Sequence, residues 1–236
     1  MLCKGKNMNF ITIGQNIVKL TAKYWDKFLL TGMGYTLSLA AITVAVGAIL
    51  GALIALMRMS KIAPLRWIAA VYTEIIRGTP MLLQLYLFYF ALPQLVPLLK
   101  KQQYACVAIA LVCNSAAYVS EIIRSGIQAV DIGQTEAARS LGMSHKLTMT
   151  QIILPQAIKN ILPALGNEFI MIIKDTSLAS TFFIGDLMTQ VLVIKGATYL
   201  TIEPLIMVAV VYFVLTFVLT KLLGVFERRL RRGDIR

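Results

Sequence analysis

An all-α integral membrane chain with five transmembrane helices is the fold class this sequence predicts, and three observations carry the prediction. Of 236 residues, 58% are hydrophobic and only 14% charged, where soluble domains carry about 25% charge; mean hydropathy is +0.76. Several uncharged runs are long enough to cross a hydrocarbon core about 30 Å thick. The net charge of +12 comes from basic residues between and beside those runs. That pattern suits cytoplasmic-leaflet lipid and topology signals better than nucleic acid, and no stretch reads as a nucleic-acid-binding module. The length suits one compact unit.

Residues 1–30 contain Lys4, Lys6, Lys19, Lys23, Asp26 and Lys27, so they lack the apolar core of a signal peptide. Cys3 lacks the small-residue context of a lipoprotein signal. Asn9 to Leu30, with Tyr24 and Trp25, reads as an amphipathic interfacial helix on the outer leaflet. The first span is the uncharged run Thr31 to Met57, where Thr43, Gly47, Gly51 and Ala55 recur every four residues, a stripe for close helix packing. The second, Gly78 to Leu99, contains Pro80, Pro93 and Pro97. Gln102 to Ser120 is the third. Cys106 and Cys113 lie within it, seven apart, and rise about 10 Å along one helix, beyond the roughly 7 Å that a disulfide spans. Asn160 to Gly185 is the fourth span despite Glu168, Lys174 and Asp175, because charge inside a span is expected where it faces a pathway or a subunit interface. Lys174 and Asp175 read as a structural or gating pair near its outer end. Pro204 to Thr220 is the fifth, extended by snorkelling of Lys221. The expected organisation is an interfacial segment 1–30, a transmembrane domain 31–225 and a basic tail 226–236.

Charge orients the chain. With residues 131–155 inside, Arg58, Lys61, Arg66, Arg124, Arg139, Lys146, Lys221 and the tail arginines lie inside, against Lys100, Lys101 and Lys195 outside. This obeys the positive-inside rule and places the C-terminus in the cytoplasm and the N-terminus outside, although the five N-terminal lysines run against it.

The segment from Glu136 to Pro155, EAARSLGMSHKLTMTQIILP, is polar and helix-prone between two membrane-length runs. Asp131 with Gln134 reads as an N-cap and its N3 partner. Gly142 suits the left-handed position after a helix, and Ser144 can cap the next one. A short helix, a glycine and a second helix leading to Pro155 follow.

The spacing Glu-Ala-Ala, three residues, Gly142, nine residues, Ile152, one residue, Leu154-Pro155 resembles the EAA loop of ABC importer permeases, whose coupling helices dock on the ATP-hydrolysing subunit. The resemblance extends from Gly34 to the C-terminus through TLSLA (36–40), EIIRGTP (74–80), SAAYVSEIIRSGIQAV (115–130), LPALGNEFI (162–170), KDTSL (174–178) and FERRLRRGD (226–234). The chain resembles the permease subunit of polar amino acid ABC importers of the histidine/glutamine/arginine type. Ile132 departs from the pattern, where relatives often carry Pro. The resemblance implies a prokaryotic inner-membrane, multi-pass subunit that forms the translocation pathway. It pairs with a second permease, identical or homologous, and works with an ATPase subunit and an extracytoplasmic binding protein. Glu136, Ala137, Ala138, Arg139 and Gly142 would couple it to the ATPase: the alanines allow close approach, and Glu136 and Arg139 make polar contacts at the rim.

Two stretches could carry substrate chemistry. In Arg77-Gly78-Thr79-Pro80, Pro80 lacks a donor and disfavours helix at Thr79, and Gly78 permits unusual dihedrals. A broken helix follows, whose second half would offer N–H groups to an amino acid carboxylate. A plain cytoplasmic helix start with Arg77 snorkelling fits the same residues. Glu168 could receive a substrate's ammonium, which tilts the expectation toward basic amino acids, or could pair structurally with another span. Ser115 and Tyr118, one turn apart, could add hydrogen bonds, with helix packing their first expectation. His145, the only histidine, has no second ligand nearby, and no glycine-rich nucleotide loop occurs. No metal, cofactor or covalent catalysis is therefore expected in this chain. A secondary amino acid transporter, which also uses broken helices, is the alternative.

Overall fold

A computed structural model describes residues 10–230; the readings of Cys3, Lys4, Lys6 and the arginines from Arg231 onward fall outside them. The described residues form helices joined by short turns, with no strand among them. In chain order the helices are α1 (Phe10–Asp26), α2 (Met33–Arg58), α3 (Ala63–Gly78), α4 (Met81–Phe90), α5 (Leu92–Leu95), α6 (Gln103–Gln128), α7 (Ile132–Ser140), α8 (His145–Thr148), α9 (Leu154–Asp175), α10 (Leu187–Thr198) and α11 (Ile202–Leu230).

Three helical runs are long and apolar enough to cross a membrane by length and composition: Phe10–Arg58, Gln103–Gln128 and Ile202–Leu230. Two bent pairs bring the number to five: Ala63–Gly78 with Met81–Leu95, bent by 107°, and His145–Phe182 with Leu187–Thr198, bent by 41°. The bent pairs correct two sequence boundaries. Gly78 closes α3 rather than opening a span, and Pro93 and Pro97 divide the stretch after α4 into α5 and a short 3₁₀ turn. Beyond Asp175 the chain tightens into a 3₁₀ turn, Thr176–Phe182, before α10. The N-terminal helix is present, but it does not stop at Leu30. A π-helical turn, Lys27–Gly32, carries it into α2. A Cβ on Gly32 would stand 3.0 Å from Gln190 Cγ and 3.1 Å from Leu187 Cα, so the missing side chain lets α10 pack against this turn while the backbone stays helical.

The chain divides into two units. In the first, made of the chain up to Leu39 with Ile173–Phe217, Leu20, Tyr24 and Phe28 repeat at helical spacing and bury against Leu187, Val191 and Ile194 of α10 and Val208 of α11. A polar clasp joins α1 to α11: Asn16 Nδ2 donates to Glu203 Oε1 at 2.9 Å, and Glu203 is buried. The N-terminus of α10 is satisfied locally. Asp186 accepts from Met188 N at 3.0 Å and from the Thr189 hydroxyl, and Thr36 Oγ1 accepts from Leu187 N at 3.2 Å, as orphan N–H groups in a dry setting require.

The second unit comprises Ala40–Ile172 and the chain from Val218. Its centre is α6, which carries twelve buried residues. The small-residue stripe of α2 packs on it. A Cβ on Gly51 would lie 2.6 Å from Val119 Cβ and 2.9 Å from the Ala116 carbonyl oxygen, and one on Gly47 would lie 2.8 Å from Ser115 Oγ. Close backbone approach replaces the hydrophobic drive that lipid removes. Gly51→Ala is therefore expected to destabilise the subunit by about 1–3 kcal/mol, the usual effect of overpacking, because backbone cannot yield as a side chain could. Gly34, also on α2, has open space at its Cβ, and Gly34→Ala is expected to be neutral or stabilising by up to about 1 kcal/mol. Thermal unfolding of the two purified variants in detergent measures the contrast.

Candidate functional site

Between α3 and α4 the backbone leaves the helix at Thr79 (φ −116°, ψ 146°) and Pro80 (φ −62°, ψ 135°). Gly78 is not among the positive-φ glycines, so the unusual dihedrals expected of it are absent. Pro80 makes the break, by forbidding helix at the residue before it. The freed carbonyls of α3 are taken up by Gln84, a buried side chain. Its Nε2 donates to Ile76 O at 2.7 Å, Thr79 O at 3.1 Å and Thr79 Oγ1 at 2.9 Å, and its Oε1 accepts from Asn114 Nδ2 of α6 at 3.0 Å. Tyr72 donates from its hydroxyl to Cys113 O at 2.6 Å. The break is thus fixed to α6 by hydrogen bonds, a rigid feature rather than a frayed end.

Arg77 stands two residues before the break, and its guanidinium carbon lies 5.5 Å from the centroid of the Tyr118 ring, within cation–π range. Its NH1 is 3.6 Å from Glu121 Oε2. The same carboxylate binds Arg58 NH1 at 2.5 Å, and Arg124 through Nε at 3.1 Å and through its other terminal nitrogen. Glu121 of α6 thereby ties together the C-terminal ends of α2 and α3, where cations also favour the helix dipole. Arg77 and Tyr118 come together as candidate site residues. Ser115 does not join them: it is buried against Gly47, and its hydroxyl has no hydrogen-bond partner.

Glu168 sits half-buried on α9 and makes a polar or electrostatic contact of its own. Seven residues earlier, Ile161 covers Gly126 of α6, where a Cβ would stand 2.4 Å from Ile161 Cγ1. Two turns of helix put Glu168 on the same face as Ile161, about 10 Å further along the axis. Lys174 and Asp175 follow at the end of α9, Lys174 exposed and Asp175 half-buried.

The segment from Asp131 to Ile153 follows most of its capping signals. Asp131 Oδ1 accepts from Gly133 N at 2.6 Å and opens α7. Gln134 does not close the expected box; its Oε1 accepts from Gln156 Nε2 at 3.4 Å. Gly142 has φ +81°, and Met143 N donates back to Ala138 O at 3.1 Å, the Schellman closure that a left-handed residue permits. Ser144 Oγ accepts from Leu147 N at 3.3 Å and starts α8. Glu136, Ala137 and Arg139 are exposed, whereas Ala138 is buried inside the chain. Arg139 NH1 donates to Met143 O at 3.2 Å. Ile132 and Leu141 are 73% and 84% exposed. His145 lines a pocket of about 300 Å³ with Ile127, Ile132, Thr148 and Ile153.

Sequence reasoning missed Glu121, Arg58 and Gln84 as parts of this arrangement. The Glu121–Arg124 spacing of three was the one available signal; Gln84 carried none, because its partners are backbone carbonyls freed by the break.

The family of binding-protein-dependent transport system inner membrane components matches residues 44–232. The chain is 44% identical over 207 residues to the arginine transport system permease protein ArtQ of Bacillus subtilis, covering 88% of this chain and 94% of that one. It is 39% identical over 230 residues to the L-cystine transport system permease protein TcyB of the same organism, covering 96% and 97%. A crystal structure of an amino acid ABC transporter with histidines superposes with a TM-score of 0.84 at 46% identity, over 94% of this chain and 99% of that one. The MetNI methionine ABC transporter in an inward-facing form shares the fold at 18% identity, with a TM-score of 0.68 over 87% and 97%. These matches favour an importer permease over a secondary transporter. The chain belongs to the binding-protein-dependent transport system inner membrane component family and is the multi-pass permease subunit of an ABC importer.

Proposed function

We propose that this subunit of a polar amino acid importer lines the translocation pathway with the break at Arg77–Pro80 and with Glu168, and couples it to an ATPase through α7 and Gly142. Membership of the family implies an ATPase partner and a second permease; an extracytoplasmic binding protein completes the proposal, with the N-terminus outside and the C-terminus in the cytoplasm. The observation that carries the coupling half is the segment 131–153. It is a short capped helix closed by a left-handed glycine, with Ile132, Leu141, Glu136 and Ala137 exposed. Large exposed apolar residues on a polar segment mark a surface that a partner covers. In the pathway half, a substrate carboxylate meets Arg77 and the N–H groups at the start of α4, Tyr118 holds the guanidinium, Glu168 faces the ammonium group, and the extended backbone at Thr79 and Pro80, after Gly78 ends α3, frees those N–H groups. Ser115 contributes through the packing of α2 on α6.

The test is reconstitution of the permease with its ATPase and binding protein in liposomes. Uptake of labelled L-arginine, L-glutamine or L-cystine is expected only with ATP inside the ATPase compartment, and the purified permease alone is expected neither to bind nor to hydrolyse ATP. Uptake driven by an ion gradient without the ATPase overturns the reading.

A further inference from the structure

Three guanidiniums converge on the single carboxylate of Glu121, and they are not held alike. Arg58 and Arg124 make direct hydrogen bonds to it, and Arg58 has a side chain only 13% exposed. Arg77 stands off at 3.6 Å with a side chain 37% exposed, braced on its other side by the Tyr118 ring. We infer that Glu121 is a positioning residue for substrate recognition: it draws Arg77 onto Tyr118 and offsets the repulsion of Arg58 and Arg124, so that the free edge of Arg77 is presented to a carboxylate. The inference rests on the reading above that Arg77 meets the substrate's carboxylate.

The charge count gives the direction. Glu74 of α3 also acts electrostatically on Arg124, so three cations face two anions and one positive charge is left unmatched, which an incoming carboxylate balances. Without Glu121 the three guanidiniums repel one another, and Arg77, the one not hydrogen-bonded and the most exposed, is the one free to swing away. Arg58 and Arg124 cannot replace it, because Arg58 ends α2 and Arg124 lies a turn further along α6, engaged also with Gln128 Oε1 at 2.5 Å. Nor does Glu121 itself contact substrate, since Arg58, Arg124 and Arg77 take up its oxygens.

The experiment uses the assembled permease–ATPase complex in detergent and measures competition by each of L-arginine, L-glutamine and L-cystine against its own carboxamide, which keeps the ammonium and loses the carboxylate charge. In the wild type the acid of whichever amino acid binds is expected to compete at least about tenfold better than its amide, the effect of one charge-assisted hydrogen bond or more. Glu121→Gln is expected to lower that preference by about threefold to tenfold, and Glu121→Asp, which keeps the charge but withdraws it by one methylene, by a smaller factor. Amide binding and ATP turnover at saturating acid are expected to hold, a split that general loosening would not give. Arg77→Met, with no guanidinium left, is expected to lower the preference further than either Glu121 variant, to the part that the N–H groups of α4 supply. If Arg77→Met lowers it while assembled Glu121→Gln or Glu121→Asp keeps the wild-type ratio or exceeds it, the positioning role is wrong and the Arg77 reading stands. An unchanged ratio in Arg77→Met removes both. Glu121→Asp retains the ion cluster, so it decides the matter even where Glu121→Gln fails to assemble.

Discussion

Gly142→Pro abolishes the stimulation of ATP hydrolysis by substrate and binding protein while leaving the subunit in the membrane; this is the expected result in the reconstituted importer. Gly142 holds φ at +81°, whereas Pro is confined to about −65°. The substitution also removes the Gly142 N–H, which donates to Arg139 O at 3.0 Å. The end of α7 must therefore re-form, and with it the angle between α7 and α8. Nothing lies within 4 Å of the Gly142 Cβ position, so the damage stays in the segment and does not reach the packed spans. Gly142→Ala fits that space and carries only the left-handed strain of about 1–2 kcal/mol, so it is expected to retain partial stimulation. Glu136→Lys changes one exposed charge at the same surface and is expected to weaken ATPase association without altering α7. ATPase activity at saturating substrate, measured beside co-purification of the ATPase, separates the cases. Full stimulated hydrolysis in both Gly142→Pro and Glu136→Lys would remove the coupling role.

How much of this was legible in the sequence depended on whether the signal was local. Asp131, Gly142 and Ser144 were placed correctly because capping is decided within four residues. Pro80 announced the break for the same reason, although Gly78 beside it was credited with dihedrals it does not adopt. The α2 stripe was legible because a period of four is visible in one helix, but its partner, the face of α6 bearing Ser115, Ala116 and Val119, was not. Helix ends were less readable. The π-helical turn at Lys27–Gly32 preserves the helix where a boundary was expected, and it packs through Gly32 against Leu187 and Gln190, more than 150 positions away in the chain. Glu121 was hidden in the same way. Its role depends on Arg58 and Arg77, which reach it from two other helix ends, and sequence assigned those arginines to topology and to substrate before their common partner was visible.

Glu168→Gln is expected to weaken substrate binding by about tenfold to a hundredfold. A carboxylate within a span is disfavoured by roughly 2.5–3.5 kcal/mol on insertion scales, so its presence needs a compensating contact. Glu168 has one within the subunit, and the residue is half-buried. Its face is that of Ile161, which packs on α6 at Gly126. In the proposed reading, ammonium at Glu168 and carboxylate at Arg77 engage the two ends of one amino acid. A hydrogen bond to a charged group contributes about 1.5–3 kcal/mol, from which the tenfold to hundredfold loss follows. Gln keeps the shape, so assembly is expected to hold, whereas Glu168→Lys places a cation against the substrate's ammonium and is expected to abolish uptake. Apparent affinity in proteoliposomes, with assembly followed by size-exclusion chromatography, tests the pair. Wild-type affinity in Glu168→Gln, or loss of assembly before any loss of transport, would make Glu168 a structural partner of its own subunit and leave Arg77 and the α4 N-terminus to bind the substrate alone.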